Sequence, residues 1–349
     1  MAKDNTFKKA HQKKTSQNSR VVNIKSNYPY YVLDLWDKKI LTALNENVRY
    51  SYSEIAKKTR LSKEVVNYRI NRMQSQGIIK EFVTIFGFGY WAHKILVDFS
   101  KITSAAEKDI LNYLCTHPNV NWLTPCSGGW DLVFSIMAHS PEEFDTILRE
   151  ILGKIGGQIR DYKIAISTGS QTFGHTYILG SIKELEKLSR LNSENLNFDD
   201  KDKCIARLLH KNARISLTDI YKKTGISIDT IRYRIRKMEE NCIIRRYRLI
   251  LDSSKLGYDR YEVFLRCINL SDSVISKFKE YAKQNPNVEF FSKCVGSWDI
   301  EMTVHFRKSE DLRNFILEIK ERFGEYIQRF ETLTLFETYN FVYLPTELQ

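Results

Sequence analysis

The sequence has no long apolar run of the kind that a membrane-spanning helix requires. Within its 349 residues, no stretch approaches the roughly 20 apolar residues needed to cross a bilayer. A secretory signal, with a basic start and a short apolar segment, is also missing. We therefore expect a soluble protein that stays in the cytoplasm and has no membrane partner.

Cysteine and histidine are scarce, and neither is spaced like a set of metal ligands. The six cysteines form no C-x-x-C pair, and the seven histidines form no H-x-x-x-H pair. The sequence also lacks a glycine-rich phosphate loop and any Ser, His and Asp grouping typical of hydrolases. These absences argue against a metal, a cofactor and an enzyme, and they favour buried, reduced thiols in a cytosolic protein.

Positive charge is in excess, but only in parts of the chain. The formal net charge is +12. Residues 1–30 contribute +6, residues 33–79 contribute +4 and residues 198–248 contribute +7, whereas residues 80–197 sum to −2 and residues 249–349 to −3. An excess confined to three segments is explained better by a polyanionic partner than by an ordinary solvated surface. The first segment is poor in large apolar residues and is predicted to be a disordered basic tail.

The second basic segment predicts three short helices, the third of which has one apolar face. Val66, Ile70 and Met73 are spaced at i, i+4 and i+7, which places them in one stripe along a helix. The predicted helices cover residues 34–45, 52–58 and 62–76. A short turn joins the last two, and two short helices joined in this way are typical of a helix-turn-helix motif.

The same layout returns later in the chain. Aligning residues 33–79 with residues 198–244 gives 19 identities in 47 positions. Each copy is followed by segments that predict the order βαββαβ, which is the ferredoxin-like arrangement. The sequence Cys126-Ser-Gly-Gly-Trp-Asp131 also reappears as Cys294-Val-Gly-Ser-Trp-Asp299. We therefore predict an α+β fold in which a unit of two domains is duplicated in tandem.

This duplication predicts six segments along the chain. They are a basic disordered tail at residues 1–30, a winged-helix-like helix-turn-helix domain at 31–86, a ferredoxin-like effector or assembly domain at 87–180, a helix and linker at 181–197, a second helix-turn-helix domain at 198–251 and a second ferredoxin-like domain at 252–349.

Many residues of the first repeat match one family pattern. They are Leu33-Asp34, Asp37, Ile40-Leu41, Asn47, Arg49, Ser53-Glu54-Ile55-Ala56, Ser62, Arg69-Ile70 and Gly77-Ile78-Ile79, together with the turns Gly128-Gly-Trp-Asp131 and Gly296-Ser-Trp-Asp299, which fit a GxxD pattern. With these residues the chain resembles the feast/famine regulators of the Lrp/AsnC family, over about residues 31–180 and 197–345. The resemblance implies DNA-binding transcription regulation, self-association through the effector-domain sheets and a small-molecule effector such as an amino acid. The tandem form is similar to fused regulators seen mainly in archaea.

The chain departs from the family pattern at two helix ends. Arg60 stands where the family has a turn glycine, which its counterpart Gly225 keeps. If this turn needs a positive φ, the arginine costs about 1 kcal/mol. Asn241-Cys242 replaces Gln76-Gly77, and we expect the asparagine to take the left-handed position at that helix end.

The outer faces of the two recognition helices carry the candidate DNA-binding residues. They are Ser62, Lys63, Asn67, Tyr68, Asn71 and Arg72 in the first motif, and Ser227, Arg232, Tyr233, Arg236 and Lys237 in the second. Asparagine pairs bidentately with adenine and arginine with guanine, so the two helices are predicted to read different half-sites of double-stranded DNA. The alternative for Arg232 and Arg236 is contact with phosphates alone. For Arg72 and Lys237, phosphate contact and contacts within the motif are both open.

The repeated GxxD turn provides the candidate effector site. The resemblance implies that Gly128, Trp130, Asp131, Gly296, Trp298 and Asp299 bind the effector. The carboxylates can accept an ammonium group, and backbone amides near the glycines can hold a carboxylate. The competing interpretation is that the tryptophans belong to the core and the aspartates brace a turn.

The sequence thus favours a sequence-specific transcription regulator that reads the major groove with two non-identical helices and is associated with the nucleoid. A non-specific architectural DNA-binding protein is one alternative. A partner protein whose motifs no longer contact DNA is another. A third is an enzyme like the sirohaem decarboxylases, which share this layout. Against it, residues 126–139 contain no clustered His and Arg, and no histidine is kept by both repeats. Because one chain supplies both units, we expect a built-in pseudo-dimer.

Overall fold

The computed structural model describes residues 30–180 and 198–341. The predicted basic tail, apart from Tyr30, and the predicted helix and linker of residues 181–197 lie outside the described residues. Within the described ranges, no helix combines the length and the apolar character that crossing a membrane requires.

Each repeat starts with three short helices and continues into strands. The first repeat contains α1 (Leu35–Glu46), α2 (Tyr52–Thr59), α3 (Lys63–Ser75), β1 (Ile79–Phe86), β2 (Trp91–Phe99), α4 (Ser104–Thr116), β3 (Val120–Ser127), β4 (Leu132–Ala138), α5 (Pro141–Ile155), β5 (Ile159–Thr172) and α6 (Thr176–Leu179). The second contains α7 (Asp200–Lys211), α8 (Leu217–Thr224), α9 (Ile228–Glu240), β6 (Ile244–Leu251), β7 (Asp259–Cys267), α10 (Asp272–Gln284), β8 (Val288–Gly296), β9 (Ile300–Phe306), α11 (Ser309–Phe323), β10 (Ile327–Leu335) and β11 (Tyr339–Phe341). The predicted α+β class is confirmed. The sequence did not predict α6 or β11.

Side-chain caps fix where the helices of each helix-turn-helix motif begin. Asp34, Ser51 and Ser62 each accept a hydrogen bond from the backbone N–H three residues ahead. The second motif repeats these caps with Asp199, Ser216 and Ser227. The apolar stripe predicted for α3 is buried along its whole length. Local sequence signals therefore determine both the ends and the orientation of these helices.

Two helix ends hold a non-glycine residue in the left-handed conformation. Arg60 has a φ of 59°, close to the 71° of its counterpart Gly225. The expected positive φ at the arginine is thus present. After α9, the left-handed residue is Cys242, with a φ of 54°, and not Asn241 as expected. Cys242 occupies the position of Gly77, because the turn is set by the distance from the helix end.

We expect Arg60→Gly to raise the free energy of unfolding by about 0.5–1 kcal/mol. Relief of the left-handed strain is worth about 1–2 kcal/mol, and the greater chain entropy of glycine in the unfolded state offsets part of it. Urea unfolding measures this change. The reverse substitution, Gly225→Arg, is the matched control and should lower the free energy of unfolding. Equal stabilities of all three proteins would show that the turn carries no strain.

The strands of the two ferredoxin-like domains close into one barrel. The first domain orders its strands β5-β2-β4-β3, and the second orders them β10-β7-β9-β8. β5 pairs with β8 and β10 pairs with β3, so that the two four-stranded sheets meet at both edges. β1 and β6 form a separate antiparallel pair, called here the ribbon. The expected pseudo-dimer is therefore formed within one chain.

The two turn glycines lie where one sheet meets the other. Gly128 has a φ of 119° and Gly296 a φ of 132°. A Cβ on Gly296 would lie 2.5 Å from the carbonyl oxygen of Ile164, and a Cβ on Gly128 would lie 2.7 Å from that of Thr332. Both distances are far below van der Waals contact. These glycines are therefore required for the close approach of the two repeats.

We expect Gly296→Ala to destabilise the protein by about 2–4 kcal/mol, because it adds left-handed strain to a backbone clash. Gly153 is the matched control, since it lies within α5 and a Cβ there would meet no atom within 4 Å. Gly153→Ala should stabilise the helix by about 0.5–1 kcal/mol. Thermal unfolding of both variants provides the measurement. A melting temperature of Gly296→Ala equal to that of the wild type would rule out the proposed close approach.

The interior of the barrel contains a charged group that differs between the repeats. Lys94, on β2, points into the barrel and its Nζ lies 3.3 Å from Oε1 of Glu262, on β7. It also pairs with Glu301 on β9. Both carboxylates are almost completely buried. Nε1 of Trp298 donates to Glu301 at 3.3 Å, and the Lys94 ammonium lies 5.9 Å from the ring centre of Phe264.

Candidate nucleic-acid interface

The recognition helices α3 and α9 present their predicted residues on the surface. All the candidate DNA-binding residues except Arg72 are exposed. Tyr68 and Tyr233, at equivalent positions of the two repeats, are both 65% exposed. On α3, Nδ2 of Asn71 donates to Oδ1 of Asn67 at 3.2 Å, so the two amides lie side by side.

Ser62 and Ser227 have a structural role at the start of the recognition helices. The Ser62 hydroxyl accepts from the N–H of Val65 at 3.2 Å, and the Ser227 hydroxyl accepts from the N–H of Thr230 at 3.3 Å. Both serines therefore order the first turn. The free backbone amides of a helix N-terminus attract phosphate groups. The predicted contact of Ser62 and Ser227 with DNA would therefore be made to the phosphate backbone, at the start of α3 and α9.

Arg72 is held inside the first motif. Its Nη2 lies 2.9 Å from both carboxylate oxygens of the buried Asp37. Arg69 contacts the same carboxylate at 2.8 Å and also Asp34 at 2.7 Å, and the hydrogen bond to Asp34 raises the pKa of Arg69. A buried carboxylate requires such cations. Of the two open interpretations, the structure therefore favours the contact within the motif for Arg72 over a contact with DNA.

The two arginines at the centre of α9 are held by acidic neighbours on the same helix. Nη1 of Arg232 lies 2.5 Å from Asp229, and Nε of Arg236 lies 2.7 Å from Glu240. All four side chains are more than half exposed. Exposed pairs of this kind are worth less than about 1 kcal/mol. Either arginine can therefore leave its partner for a base or a phosphate at little cost.

Reciprocal contacts join the two helix-turn-helix domains. Nη1 of Arg49 donates to the carbonyl oxygen of Ala213 at 2.6 Å, and Arg214, its counterpart in the second repeat, donates to the carbonyl oxygen of Val48. Burial lowers the pKa of Arg214. The sequence alignment paired these arginines but did not reveal that each reaches into the other repeat. Together with the ribbon, they fix the relative position of α3 and α9.

The candidate effector residues occupy structural positions. The carboxylates of Asp131 and Asp299 each accept a hydrogen bond of 2.8 Å from a backbone N–H on a neighbouring strand. Trp130 and Trp298 are buried in the barrel core, and the two glycines allow the sheets to meet. These contacts match the competing interpretation, in which the turn is braced. Effector binding at this turn stays a prediction.

The structure also contains a large cavity that was not predicted from the sequence. A cavity of about 970 Å³ lies between the ribbon and the barrel, and four arginines and two histidines are among its lining residues. Those side chains are Arg245, Arg246, Arg248, Arg260, His175 and His305. They come from β6, β7, β9 and the segment after β5, which are far apart in the sequence. None of these residues lies in residues 126–139, where a local cluster of His and Arg was expected for a sirohaem decarboxylase, so the sequence did not indicate this site.

Family models match both helix-turn-helix segments. A model described as winged helix-turn-helix DNA-binding matches residues 33–80. A model described as an AsnC-type helix-turn-helix domain matches residues 198–239.

Two archaeal regulators are similar to parts of the chain. The HTH-type transcriptional regulator LrpA of Pyrococcus horikoshii is 34% identical over 121 residues, which cover 34% of this chain and 82% of that protein. An uncharacterised HTH-type transcriptional regulator of Pyrococcus furiosus is 31% identical over 153 residues, which cover 42% of this chain and 99% of that protein. Each relative thus corresponds to less than half of this chain, as expected for a duplicated unit.

A solved structure shares the fold over nearly the whole chain. The crystal structure of the sirohaem decarboxylase NirDL aligns with 89% of this chain and 94% of its own, with a TM-score of 0.60 and 13% identity. At this identity the likeness concerns the fold alone. The two helix-turn-helix matches and the two regulators matched over most of their length show that the chain belongs to the Lrp/AsnC family of helix-turn-helix transcriptional regulators, as a tandem-duplicated member.

Proposed function

We propose that this regulator binds double-stranded DNA by placing α3 and α9 in the major groove at two non-identical half-sites. The observation that carries the proposal is the fixed pair of exposed recognition helices within one chain. Paired helices of this type read half-sites about one helical turn, roughly 34 Å, apart. The reciprocal arginines and the ribbon hold the two helices in one relative position.

The two helices differ in the groups that would face the bases. The outer face of α3 carries the amides of Asn67 and Asn71, and that of α9 carries the guanidinium groups of Arg232 and Arg236 at the equivalent positions. We expect an A/T-leaning half-site under α3 and a guanine-containing half-site under α9. Because both helices belong to one polypeptide, the operator need not be a palindrome.

We expect Arg232→Ala to weaken binding to the preferred site by about 1–3 kcal/mol and to relax the preference at one base pair. Duplexes are first selected from a random pool with the wild-type protein, and selection is then repeated with the variant. Arg149→Ala is the matched control, since Arg149 forms a similar exposed pair, with Asp145, on α5. An equal loss of affinity for all duplexes would show that Arg232 contacts phosphates and not a base.

A salt titration separates specific regulation from architectural binding. Binding to the promoter fragment of the protein's own gene is compared with binding to a shuffled fragment. A preference of at least about 10³-fold at physiological salt supports a sequence-specific regulator. Equal affinities that both fall steeply with salt would support a non-specific architectural protein.

The family also implies an amino-acid effector at the GxxD turns. There, a ligand ammonium would have to compete with the backbone amides that Asp131 and Asp299 already bind. Calorimetry with the common amino acids tests this. Heat that is lost on Asp131→Asn supports the site, whereas no heat with any amino acid rejects it.

Catalysis on a tetrapyrrole is the second candidate function. The observation that favours it is the cavity, which brings two histidines and four arginines together in a chain with the fold of a sirohaem decarboxylase. A haem-like absorbance in the purified protein would support this candidate. The named relatives are transcriptional regulators, and we propose that this chain is not an enzyme.

A further inference from the structure

The cavity between the ribbon and the barrel is bounded by both parts of the molecule. The ribbon contributes Arg245, Arg246 and Arg248 from β6, and the barrel contributes Arg260 and His305. Its volume of about 970 Å³ lies at the upper end of the range for small-molecule sites, roughly 300–1,000 Å³. A molecule in this space would contact the ribbon and the barrel at the same time.

Several of the lining cations already have carboxylate partners. Lys80 pairs with Asp252 at 3.8 Å, Lys94 pairs with Glu262 and Glu301, and Arg248 pairs with Glu289. Glu289 also lies 2.7 Å from Nε2 of His305. These three cations face four carboxylates, so their positive charge is already compensated. They provide polar walls, but they do not by themselves require a ligand.

Arg260 forms no direct ion pair among the described residues, although Glu289 and Glu262 lie close enough to raise its pKa. Its Nη2 donates to the hydroxyl of Thr338, and its Nε is buried with no hydrogen-bond partner in the described ranges. Burial lowers the pKa of Arg260. Burial outweighs the effect of these two carboxylates, and an anion in direct contact with the guanidinium group would oppose it. Nδ1 of His305, another lining residue, is likewise buried without a described partner.

Several aromatic side chains line the cavity between its serine, threonine and charged residues. The aromatic members include Phe86, Tyr90, Trp122, Tyr177, Phe290 and Phe336. Such walls favour a ligand with an apolar body, whereas a small inorganic anion would leave most of the space unfilled.

We propose that this cavity binds an amphipathic small molecule that has an apolar body and two or more acidic groups. One acidic group pairs with Arg260 on the barrel, and another lies against the arginines of β6 on the ribbon. Carboxylates and phosphates share this chemistry, because the arginine fork accepts either of them bidentately.

The position of the site connects the ligand to the recognition helices. β6 begins at Ile244, directly after α9, which ends at Glu240. The arginines that face the cavity therefore lie on the strand that follows the recognition helix. A ligand that bridges ribbon and barrel would restrict their relative movement, so its binding and DNA binding become coupled. This regulatory part of the inference rests on the proposed function.

Ligand binding is tested on the full chain with bis-ANS, a fluorescent aromatic disulfonate. We expect saturable binding to the wild type and at least about tenfold weaker binding to Arg260→Met, because one charge-assisted contact is lost. Arg329→Met is the matched control, since Arg329 is an exposed barrel arginine outside the cavity. If Arg260→Met does not melt cooperatively, Arg246→Met on the ribbon replaces it. Equal affinity of the cavity variant and the control would overturn the site.

Competition identifies the acidic group. Displacement of bis-ANS by dodecanedioate but not by dodecanol supports a dicarboxylate ligand, and displacement by an acyl-coenzyme A supports a phosphate-bearing one. Displacement by dodecanol as effective as that by the diacid would show that acidic groups are not recognised, and would overturn the proposal.

The regulatory part is measured separately. With saturating bis-ANS, we expect the affinity for a selected duplex to change by at least about fivefold. An unchanged DNA affinity would overturn the coupling. If the chain binds the probe but no DNA at all, the proposed function fails while the cavity site stands.

Discussion

Replacing Lys94 with methionine is expected to lower the free energy of unfolding by about 3–5 kcal/mol, the usual cost of removing one partner from a buried ion pair. Lys94 is the cation between Glu262 and Glu301, whose side chains are 1% and 3% exposed. Its ammonium group also lies 4.8 Å from the ring centre of Trp122. Without the Lys94 ammonium group, Glu262 and Glu301 would lie buried next to each other with no counter-ion from β2.

The control for this prediction is an exposed lysine with a similar ion pair. Nζ of Lys58 lies 2.8 Å from Glu46, and both side chains are about one-third or more exposed. Lys58→Met should change the stability by less than about 1 kcal/mol. Adding Glu262→Gln and Glu301→Gln to the Lys94 variant should restore part of the loss, because the uncompensated carboxylates are removed. If Lys94→Met unfolds at the same urea concentration as Lys58→Met, the buried pair does not stabilise the barrel.

The Lys94 ion group shows that the two repeats of a fused chain can carry different residues at equivalent positions. Lys94 and Glu262 occupy equivalent positions of the two repeats, separated by the same offset as Trp130 and Trp298. In a dimer of identical chains, these positions would hold two lysines or two glutamates facing each other in the interior. Gene fusion permits a lysine and a glutamic acid to face each other there. The tandem form is therefore a pseudo-heterodimer whose halves are no longer interchangeable.

Local signals in the sequence predicted the helices and strands of each repeat because their causes are local. The apolar stripe of α3 and the serine caps are visible within one or two helical turns. The closure of the barrel through β5 with β8 and β10 with β3 is different, because strand pairing joins segments more than a hundred residues apart. No local pattern encodes that pairing, although the duplication made a pseudo-dimer predictable.

The functional residues also fall into those that a local pattern predicts and those that depend on how distant segments pack. The exposed residues of α3 and α9 could be predicted from helical periodicity, since the buried face determines the opposite one. Arg72 could not be assigned, because its choice between DNA and Asp37 depends on how closely α1 packs against α3. The cavity could not be predicted from the sequence, because Arg248 on the ribbon and Arg260 on the barrel line one space only after the ribbon lies over the barrel.

Replacing Glu262 with glutamine is expected to make the barrel more stable at alkaline pH and to leave it nearly unchanged at acidic pH. Lys94 and Arg260 do not fully offset burial and the nearby Glu301, so Glu262 keeps its proton through neutral pH. Burial raises the pKa of Glu262 to about 8, with Lys94 opposing this rise and Glu301 adding to it. Thr303 lies within hydrogen-bonding distance, at 3.2 Å. A protonated glutamic acid and a glutamine are similar in shape and charge.

The direction of the pH dependence follows from proton binding. Between pH 4.5, the ordinary pKa of this side chain, and about pH 8, the folded protein holds a proton that the unfolded chain releases. The contribution of Glu262 to stability is therefore complete below pH 4.5 and is lost as the pH rises to about 8. At about 1.4 kcal/mol per pH unit, the advantage of Glu262→Gln should reach on the order of 4 kcal/mol at the upper end of this window.

Urea unfolding of both proteins at several pH values measures the difference directly. Burial lowers the pKa of His175 and of His305, so their contribution is lost as the pH falls below 6.5, which is the opposite direction. Both histidines are present in both proteins, but Glu262 also acts on the pKa of His305, so only the contribution of His175 cancels in the comparison. Glu240→Gln removes an exposed glutamate on α9 and is the control, and it should change the stability by less than about 1 kcal/mol at each pH. If the Glu262→Gln difference is flat from pH 5 to 8.5, the glutamate is ionised in the folded state, and Lys94 then balances two full negative charges.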